Sequence, residues 1–245
     1  MAPLTRKQRE IADRELLILE VARGMMVERG YLGLTMDRIA GATEYSKGTI
    51  YQHFSCKEEV LAALACESAQ IRTSLFERAA TFPGRARERM AAVGVADFLF
   101  VRLYPQHFAI ERICDTASMR DKIPEKRLSR LESCEDGCKS VVLGLARDAM
   151  AQGDLGAEDP SVAGQVVFGL WSMAYGANLI STSPGVDLET KMGIAEPWDV
   201  LFRNYNALLD GYGWKPLAGE WDYAATLERI YAEVFPDEIR RLADR

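Results

Sequence analysis

The segment TMDRIAGATEYSKGTIYQHFSCK, residues 35–57, constrains the fold more than any other part of the chain. Apolar side chains recur at helical spacing in each half of it, at Met36, Ile39 and Ala40 and again at Ile50 and Phe54. Thr35 and Ser46 precede the two apolar patterns, and each can cap a helix by accepting a backbone N–H. The spacing therefore predicts two short helices joined by a turn, a helix-turn-helix.

The outer face of the second helix is predicted to be polar. Its side chains can all form hydrogen bonds: Lys47, Thr49, Tyr51, Gln52 and His53. An exposed helix with small residues at its start can enter a DNA major groove, which is about 12 Å wide.

These residues resemble the TetR/AcrR family of bacterial transcriptional regulators. The similarity is carried by SKGTIYQHF, by Lys57 opening a long helix soon after it, and by ILEVARGMMVERGYLGLTMDRIA before it. It covers residues 11–66; beyond them only length and helical pattern agree. The resemblance implies an all-α fold, in which a three-helix helix-turn-helix domain is joined by a long helix to a larger helical domain for ligand binding and dimerisation.

The corresponding domains are residues 1–56 for DNA binding and residues 57–245 for regulation and dimerisation. Residues 1–10 are interpreted as a basic arm that could be disordered, with a plain charged terminus as the alternative.

The resemblance and side-chain chemistry together assign a DNA-binding site. Phosphate contacts are expected from Thr35, Ser46, Tyr51, His53 and Lys57. Base contacts are expected from Lys47, Gly48, Thr49 and Gln52. For His53 the alternative is a local hydrogen bond with no role in binding.

The turn departs from the family pattern at Glu44 and Tyr45, where relatives usually carry Gly and a small apolar residue. A left-handed residue at position 44 would cost on the order of 1 kcal/mol. The departure affects the expected angle of the second helix.

The rest of the chain also has helical periodicity, without a convincing series of strands. Further helices are predicted over 85–103, 105–117, 125–152, 160–182, 196–213 and 220–235. A long helix is predicted from Lys57 toward Phe82, because Pro83-Gly84 follows it.

Residues 160–186 contain no charged side chain. A helix buried on most sides explains this segment better than a membrane span, because it includes Gln165, Asn178 and Pro184. Together with the helix near 196–213, it is predicted to form a homodimer interface, through Gly169, Met173, Leu201, Tyr205 and Leu208. The alternative is that both helices fill the core of one chain.

A pocket for a small-molecule effector is expected among aromatic and polar residues of the second domain. The candidates are Phe98, Tyr104, His107, Phe108, Trp171, Tyr175 and Asn178. The alternative is that they belong to an ordinary helical core, where such residues are found more often than in a ligand wall.

Charge and cysteine content limit the function classes. The net charge is −6, while residues 1–60 carry nine basic and nine acidic residues, so any DNA contact must be local and oriented. Five cysteines without an N-terminal apolar segment favour reduced thiols and a cytoplasmic protein, and the family resemblance implies a bacterial one. A metal or redox site involving Cys134 and Cys138 is the weaker alternative, and no metal site is predicted.

No G-x-S-x-G, H-E-x-x-H or Walker-type motif is present, so we expect neither an enzyme nor a cofactor. The predicted function is a homodimeric repressor that a small-molecule effector releases from a palindromic double-stranded DNA operator, without membrane association. The alternative is an interaction or sensor protein of the same fold that no longer binds DNA.

Overall fold

The computed structural model describes residues 5–244, and over that range the chain is built of α-helices. The helices are α1 (Arg6–Gly33), α2 (Met36–Thr43), α3 (Lys47–His53), α4 (Lys57–Ala80), α5 (Ala86–Leu103), α6 (Pro105–Cys114), α7 (Ala117–Arg120), α8 (Glu125–Gln152), α9 (Ser161–Ser181), α10 (Leu188–Met192), α11 (Pro197–Gly211), α12 (Tyr223–Glu233) and α13 (Pro236–Ala243). The predicted all-α fold is confirmed. Between residues 5 and 244, none of the helices combines the length and apolar content needed to cross a membrane.

The first helix begins earlier than the sequence suggested. Thr5 accepts the backbone N–H of Gln8, and the Gln8 side chain accepts the N–H of Thr5, so a capping box starts α1 at Arg6. Residues 6–10 of the suggested basic arm are therefore helical, while residues 1–4 lie outside the described residues. Near its other end α1 is interrupted at Gly30, whose φ of 63° is favourable only for glycine.

The predicted long helices lie within a few residues of the observed ones. The sequence pattern missed three short helices, α7, α10 and α13, which are only 4, 5 and 8 residues long. It also placed the end of α6 at residue 117. The helix ends at Cys114 instead, because Thr116 adopts an extended backbone before α7 begins.

The chain forms two compact units that alternate along the sequence. Unit 1 contains the described residues up to Gln70 together with Pro105–Glu135. Its core is continuous from α1 through α4 to the later segment, which contributes Ile110, Cys114, Met119, Ile123 and Leu131. Within unit 1, Arg127 of α8 lies 3.4 Å from Glu59 and 3.5 Å from Glu15, and its guanidinium lies over the ring of Phe54.

Unit 2 contains Ile71–Tyr104 and Asp136–Arg245, of which the last residue is not described. Here α9 packs against α11, and α5 packs against α12 and α13. Arg87 of α5 is buried and lies 2.7 Å from Asp210, and it also donates to the carbonyl of Trp214 and to Asn206. The predicted functional boundary at residue 57 stays a prediction, since the compact units are defined by packing and interleave along the chain.

One cysteine pair differs from the expectation of reduced thiols throughout. Cys66 of α4 and Cys134 of α8 form a disulfide across a sequence separation of 68, with Cα atoms 5.5 Å apart. Cys56, Cys114 and Cys138 are free thiols. Sequence spacing could not reveal this pair, because two distant cysteines become neighbours only through the packing of α4 against α8.

Candidate nucleic-acid interface

Helix α2 is held in place by its cap and its apolar face. The Thr35 hydroxyl accepts the backbone N–H of Arg38 at 3.2 Å, as predicted. The predicted inner residues are all buried: Met36, Ile39 and Ala40. The Arg38 guanidinium also donates to the carbonyl of Gly33 at 2.8 Å, which ties α2 to the end of α1.

Helix α3 presents its polar face to solvent because its apolar side chains are buried in the core. Ile50 and Phe54 are both 0% exposed in the core of unit 1. Ser46 caps the helix by accepting the N–H of Thr49 at 3.1 Å, and the hydroxyls of these two residues are 2.8 Å apart. The outward residues Lys47, Gly48, Tyr51 and Gln52 are exposed, while Thr49 and His53 are half-buried.

The turn between α2 and α3 does use a left-handed residue. Glu44 has φ 58° and ψ 18° and is the only non-glycine residue with positive φ between residues 5 and 244. A side chain at this conformation costs about 1 kcal/mol relative to glycine. Tyr45 is partly buried and packs against the core of unit 1, so the larger residue is accommodated there.

Lys47 is tethered to the neighbouring helix. Its ammonium lies 2.8 Å from the carboxylate of Asp37 on α2, and this hydrogen bond raises the pKa of Lys47. Both side chains are about two-thirds exposed, at 65% and 64%, so the ion pair is weak. Lys47 can therefore exchange Asp37 for a nucleic-acid acceptor at little cost. The sequence pattern gave no indication of this pair.

Lys57 begins α4 and is positioned by an aromatic ring. Its ammonium lies 4.1 Å from the centroid of the Tyr31 ring, a cation–π contact. The Tyr31 hydroxyl donates to Glu58 at 2.7 Å. Burial and this hydrogen bond both raise the pKa of Tyr31, whereas the bond from Tyr31 lowers the pKa of Glu58 against the opposing effect of burial. The hydrogen bond to Glu58 thus orients the Tyr31 ring against the Lys57 ammonium.

The predicted pocket residues are divided between the two units. His107 and Phe108 belong to unit 1, where the His107 ring lies 2.9 Å from the Ser68 hydroxyl. The others belong to unit 2: Phe98, Tyr104, Trp171, Tyr175 and Asn178. Trp171 is 56% exposed, which places it on the surface of the unit.

The structure brings together a smaller group in unit 2 that includes partners the sequence did not suggest. Phe98 stacks on Trp198 with ring centroids 4.9 Å apart. Asn178 donates to Asp97 at 2.8 Å, and Asp97 also lies 3.3 Å from Arg72. Asp97, Asn178 and Arg72 lie on three separate helices, α5, α9 and α4. No linear sequence motif could therefore have identified this group.

The residues assigned to a dimer interface make contacts within one chain. A Cβ on Gly169 would lie 2.9 Å from a methyl carbon of Leu208, so glycine permits the close approach of α9 and α11. Leu201 and Tyr205 are buried, while Met173 and Leu208 are half-buried. The outward face of α9 instead exposes Phe168 (65%) and Trp171 (56%); the sequence reasoning did not assign Phe168 to any site. Pairing with a second copy stays a prediction.

The side chains described over residues 5–244 include no group of three or more His, Cys, Asp or Glu arranged to hold a metal ion. The geometry of the interface is instead that of a helix-turn-helix protein: two capped helices, of which the second has a buried apolar face and an exposed polar one.

Comparison with known proteins shows what this segment is similar to. Residues 18–64 match the family model described as "Bacterial regulatory proteins, tetR family". Over this segment the chain is similar to the TetR family, the resemblance that the sequence predicted.

Among curated proteins, the chain is 48% identical over 52 residues to the HTH-type transcriptional repressor AcnR of Corynebacterium efficiens. That match covers 21% of this chain and 28% of the relative, so it concerns the N-terminal segment only.

Among solved structures, a TetR/AcrR-family transcriptional regulator from Thermobifida fusca has a TM-score of 0.56 at 24% identity, covering 82% of this chain and 98% of the other. The ketosteroid transcriptional regulator KstR2 of Mycobacterium tuberculosis has a TM-score of 0.55 at 18% identity, covering 81% and 94%. These two likenesses extend the fold beyond the matched segment.

Proposed function

We propose that the protein is a DNA-binding transcriptional repressor that inserts α3 into the major groove of double-stranded DNA. The observation that carries the proposal is the two-sided character of α3: Ile50 and Phe54 are fully buried, which leaves the polar face presented to solvent. Helix-turn-helix proteins read DNA through such a second helix. The relative AcnR, itself named a repressor, supports this sign of regulation.

The assigned roles follow from where each group lies. Thr35, Ser46, Tyr51, His53 and Lys57 would contact phosphates, and Lys47, Gly48, Thr49 and Gln52 would face the base edges. Gln52 is exposed and carries an amide that can pair with adenine N6 and N7. Within the described part of the chain, a Cβ added at Gly48 would contact only the Ser46 hydroxyl, at 3.7 Å, so the space outside this residue is open. The DNA backbone or bases can therefore approach Gly48 closely.

A homodimer is proposed because the two-fold symmetry of a palindromic operator requires two recognition helices. The outward face of α9 supports it, since Phe168 and Trp171 are more than half exposed on a helix without charged residues. Large exposed aromatic side chains on an uncharged surface are typical of a protein–protein interface.

A small-molecule effector is proposed to bind within unit 2. The stacked rings of Phe98 and Trp198 and the polar group of Asp97 and Asn178 supply apolar walls with a few hydrogen-bonding groups. Such a ligand would release the operator by binding more tightly to the state that does not bind DNA, with a coupling of typically 5–150-fold.

The proposal is tested by DNA binding to the region upstream of the protein's own gene, measured by fluorescence anisotropy over a range of salt concentrations. Lys57→Ala should weaken binding to all sequences and reduce the salt slope by about 1, because one phosphate contact is lost. Gln52→Ala should relax preference at a single base pair, by about 1–3 kcal/mol. Lys191→Ala removes an exposed lysine of α10 in unit 2 and serves as the matched control.

Equal salt slopes for Lys57→Ala and Lys191→Ala would contradict the assignment of Lys57. If the wild-type protein binds no DNA at all, the alternative of an interaction protein that retains the fold is favoured.

A further inference from the structure

The cysteine pair joining α4 to α8 is unlike the other cysteines of the chain. Cys66 is 5% exposed within the core of unit 1, whereas Cys134 is only partly buried at the edge of that core. Their Cα atoms are 5.5 Å apart, which is within the range that a disulfide requires. Cys114 is buried, and burial raises its pKa to about 12, so it is a poor nucleophile.

We propose that Cys66 and Cys134 form a reversible oxidation site, which peroxides close and thiols reopen, and which controls how firmly α4 is held in unit 1. Regulation of DNA binding by this site rests on the proposed function, whereas the oxidation itself does not. The oxidant is named by class, a peroxide, and the reductant is a thiol.

The chemistry begins at Cys134, because its sulfur is the more accessible of the two. The Gln70 amide donates toward this sulfur at 3.9 Å. The thiolate attacks one peroxide oxygen: an S–O bond forms, the O–O bond breaks, and the departing oxygen takes up a proton as water or alcohol. Cys66 then attacks the sulfur of Cys134: the S–S bond forms, the S–O bond breaks, and the released hydroxide takes the Cys66 proton to give water.

In total two thiols are oxidised by two electrons and one peroxide is reduced. Attack of an external thiol on the accessible Cys134 sulfur reverses the reaction by thiol–disulfide exchange, with the second thiol of the reductant releasing the protein as a dithiol.

Closing the site would affect the DNA-facing part of unit 1. Helix α4 begins with Lys57, nine residues before Cys66, and α8 contributes Leu131 to the same core and Arg127 to Glu59. The disulfide fixes these two helices together and closes a loop across a separation of 68 residues, which restricts the unfolded chain. The oxidised unit should therefore be more stable and its α4 less mobile.

The oxidation site is tested on the full chain, reduced with dithiothreitol and then treated with hydrogen peroxide. Mass spectrometry of alkylated peptides should show a Cys66–Cys134 link that dithiothreitol removes. The unfolding temperature should rise by about 5–15 °C on oxidation and return on reduction. Cys138→Ser, four residues along α8, is the matched control and should respond like the wild type.

Cys134→Ser should lose the response, and Cys66→Ala provides a second variant in case one of them folds poorly. The comparison of oxidised with reduced wild type needs neither variant. No Cys66–Cys134 link after peroxide treatment, or a link without a change in unfolding temperature, would overturn the proposal.

The regulatory consequence is tested by anisotropy with the same upstream DNA. We expect the affinity of the oxidised protein to differ from that of the reduced protein by fivefold or more, and Cys134→Ser to abolish the difference. Equal affinities in the two states would overturn the switch. Absence of DNA binding in both states would instead contradict the proposed function. The oxidation site would then be tested by the mass spectrometry and the unfolding temperatures alone.

Discussion

At the scale of single residues, the turn before α3 is a point of strain at the proposed DNA-binding surface. Glu44 occupies the left-handed region, with φ 58°. Its side chain is exposed, so packing contacts within unit 1 do not repay this conformation. Strain of this kind persists only where the surrounding structure requires the turn.

Glu44→Gly should therefore stabilise unit 1 by about 0.5–1 kcal/mol, because glycine tolerates a positive φ. The measurement is the free energy of unfolding from urea denaturation. Glu44→Ala keeps a Cβ and is the matched control for loss of the charge. If the glycine variant is no more stable than the alanine variant, the strain at this turn is not significant.

At the scale of helices, α4 and α6 meet at a buried histidine. His107 of α6 is 6% exposed and lies 2.9 Å from the Ser68 hydroxyl of α4. Burial, together with a smaller contribution from the nearby charge of Arg23, lowers the pKa of His107 to about 4. In the unfolded chain the histidine has its ordinary pKa, about 6.5.

Between these two values the unfolded state binds a proton that the folded state does not. Stability should therefore be unaffected above about pH 6.5 and should fall as the pH decreases toward 4, by up to about 3 kcal/mol. Urea denaturation of wild type and His107→Gln across this range isolates the contribution. His53→Gln on α3 is the matched control, and a wild-type profile parallel to that of His107→Gln would contradict the prediction.

The same helices show what the sequence could and could not predict. Helical spacing located α2, α3 and their capping residues, because Thr35, Ser46, Ile50 and Phe54 interact within a few positions of one another. The ion pair of Lys47 with Asp37, the support of Lys57 by Tyr31 and the Cys66–Cys134 link join residues 10, 26 and 68 positions apart. Local periodicity carries no information on such contacts, which depend on how the helices pack.

The residues predicted to line a pocket fall in both units, and their role in ligand binding stays a prediction. Aromatic content along the chain does not distinguish a ligand wall from a core or a surface. His107 and Phe108 thus fall in unit 1, and Trp171 is exposed on unit 2.

At the scale of the whole molecule, the assembly prediction rests on the outward face of α9. The protein should behave in light scattering as a dimer of twice 27.3 kDa. Phe168→Glu combined with Trp171→Glu should produce monomers, because two charges would be buried without partners in an apolar interface. Met192→Glu alters another exposed apolar residue of unit 2, at 67% exposure, and should leave the dimer intact.

A dimer that survives both substitutions would place the interface elsewhere. Circular dichroism of the variants excludes unfolding as the cause of a lower mass. A wild-type monomer that still bound the upstream DNA tightly would contradict the dimer itself.

Unit 1 is built from two separate segments of the chain, which limits how this protein can be recombined with similar proteins. Residues 105–135 complete the hydrophobic core beneath the helix-turn-helix, through Ile110, Cys114, Met119 and Leu131. A hybrid protein that exchanged only the segment before residue 57 would pack the new helices against core residues of 105–135 that fit the original ones. Transferring the proposed DNA-binding surface to another protein should therefore require residues up to 70 and residues 105–135 together.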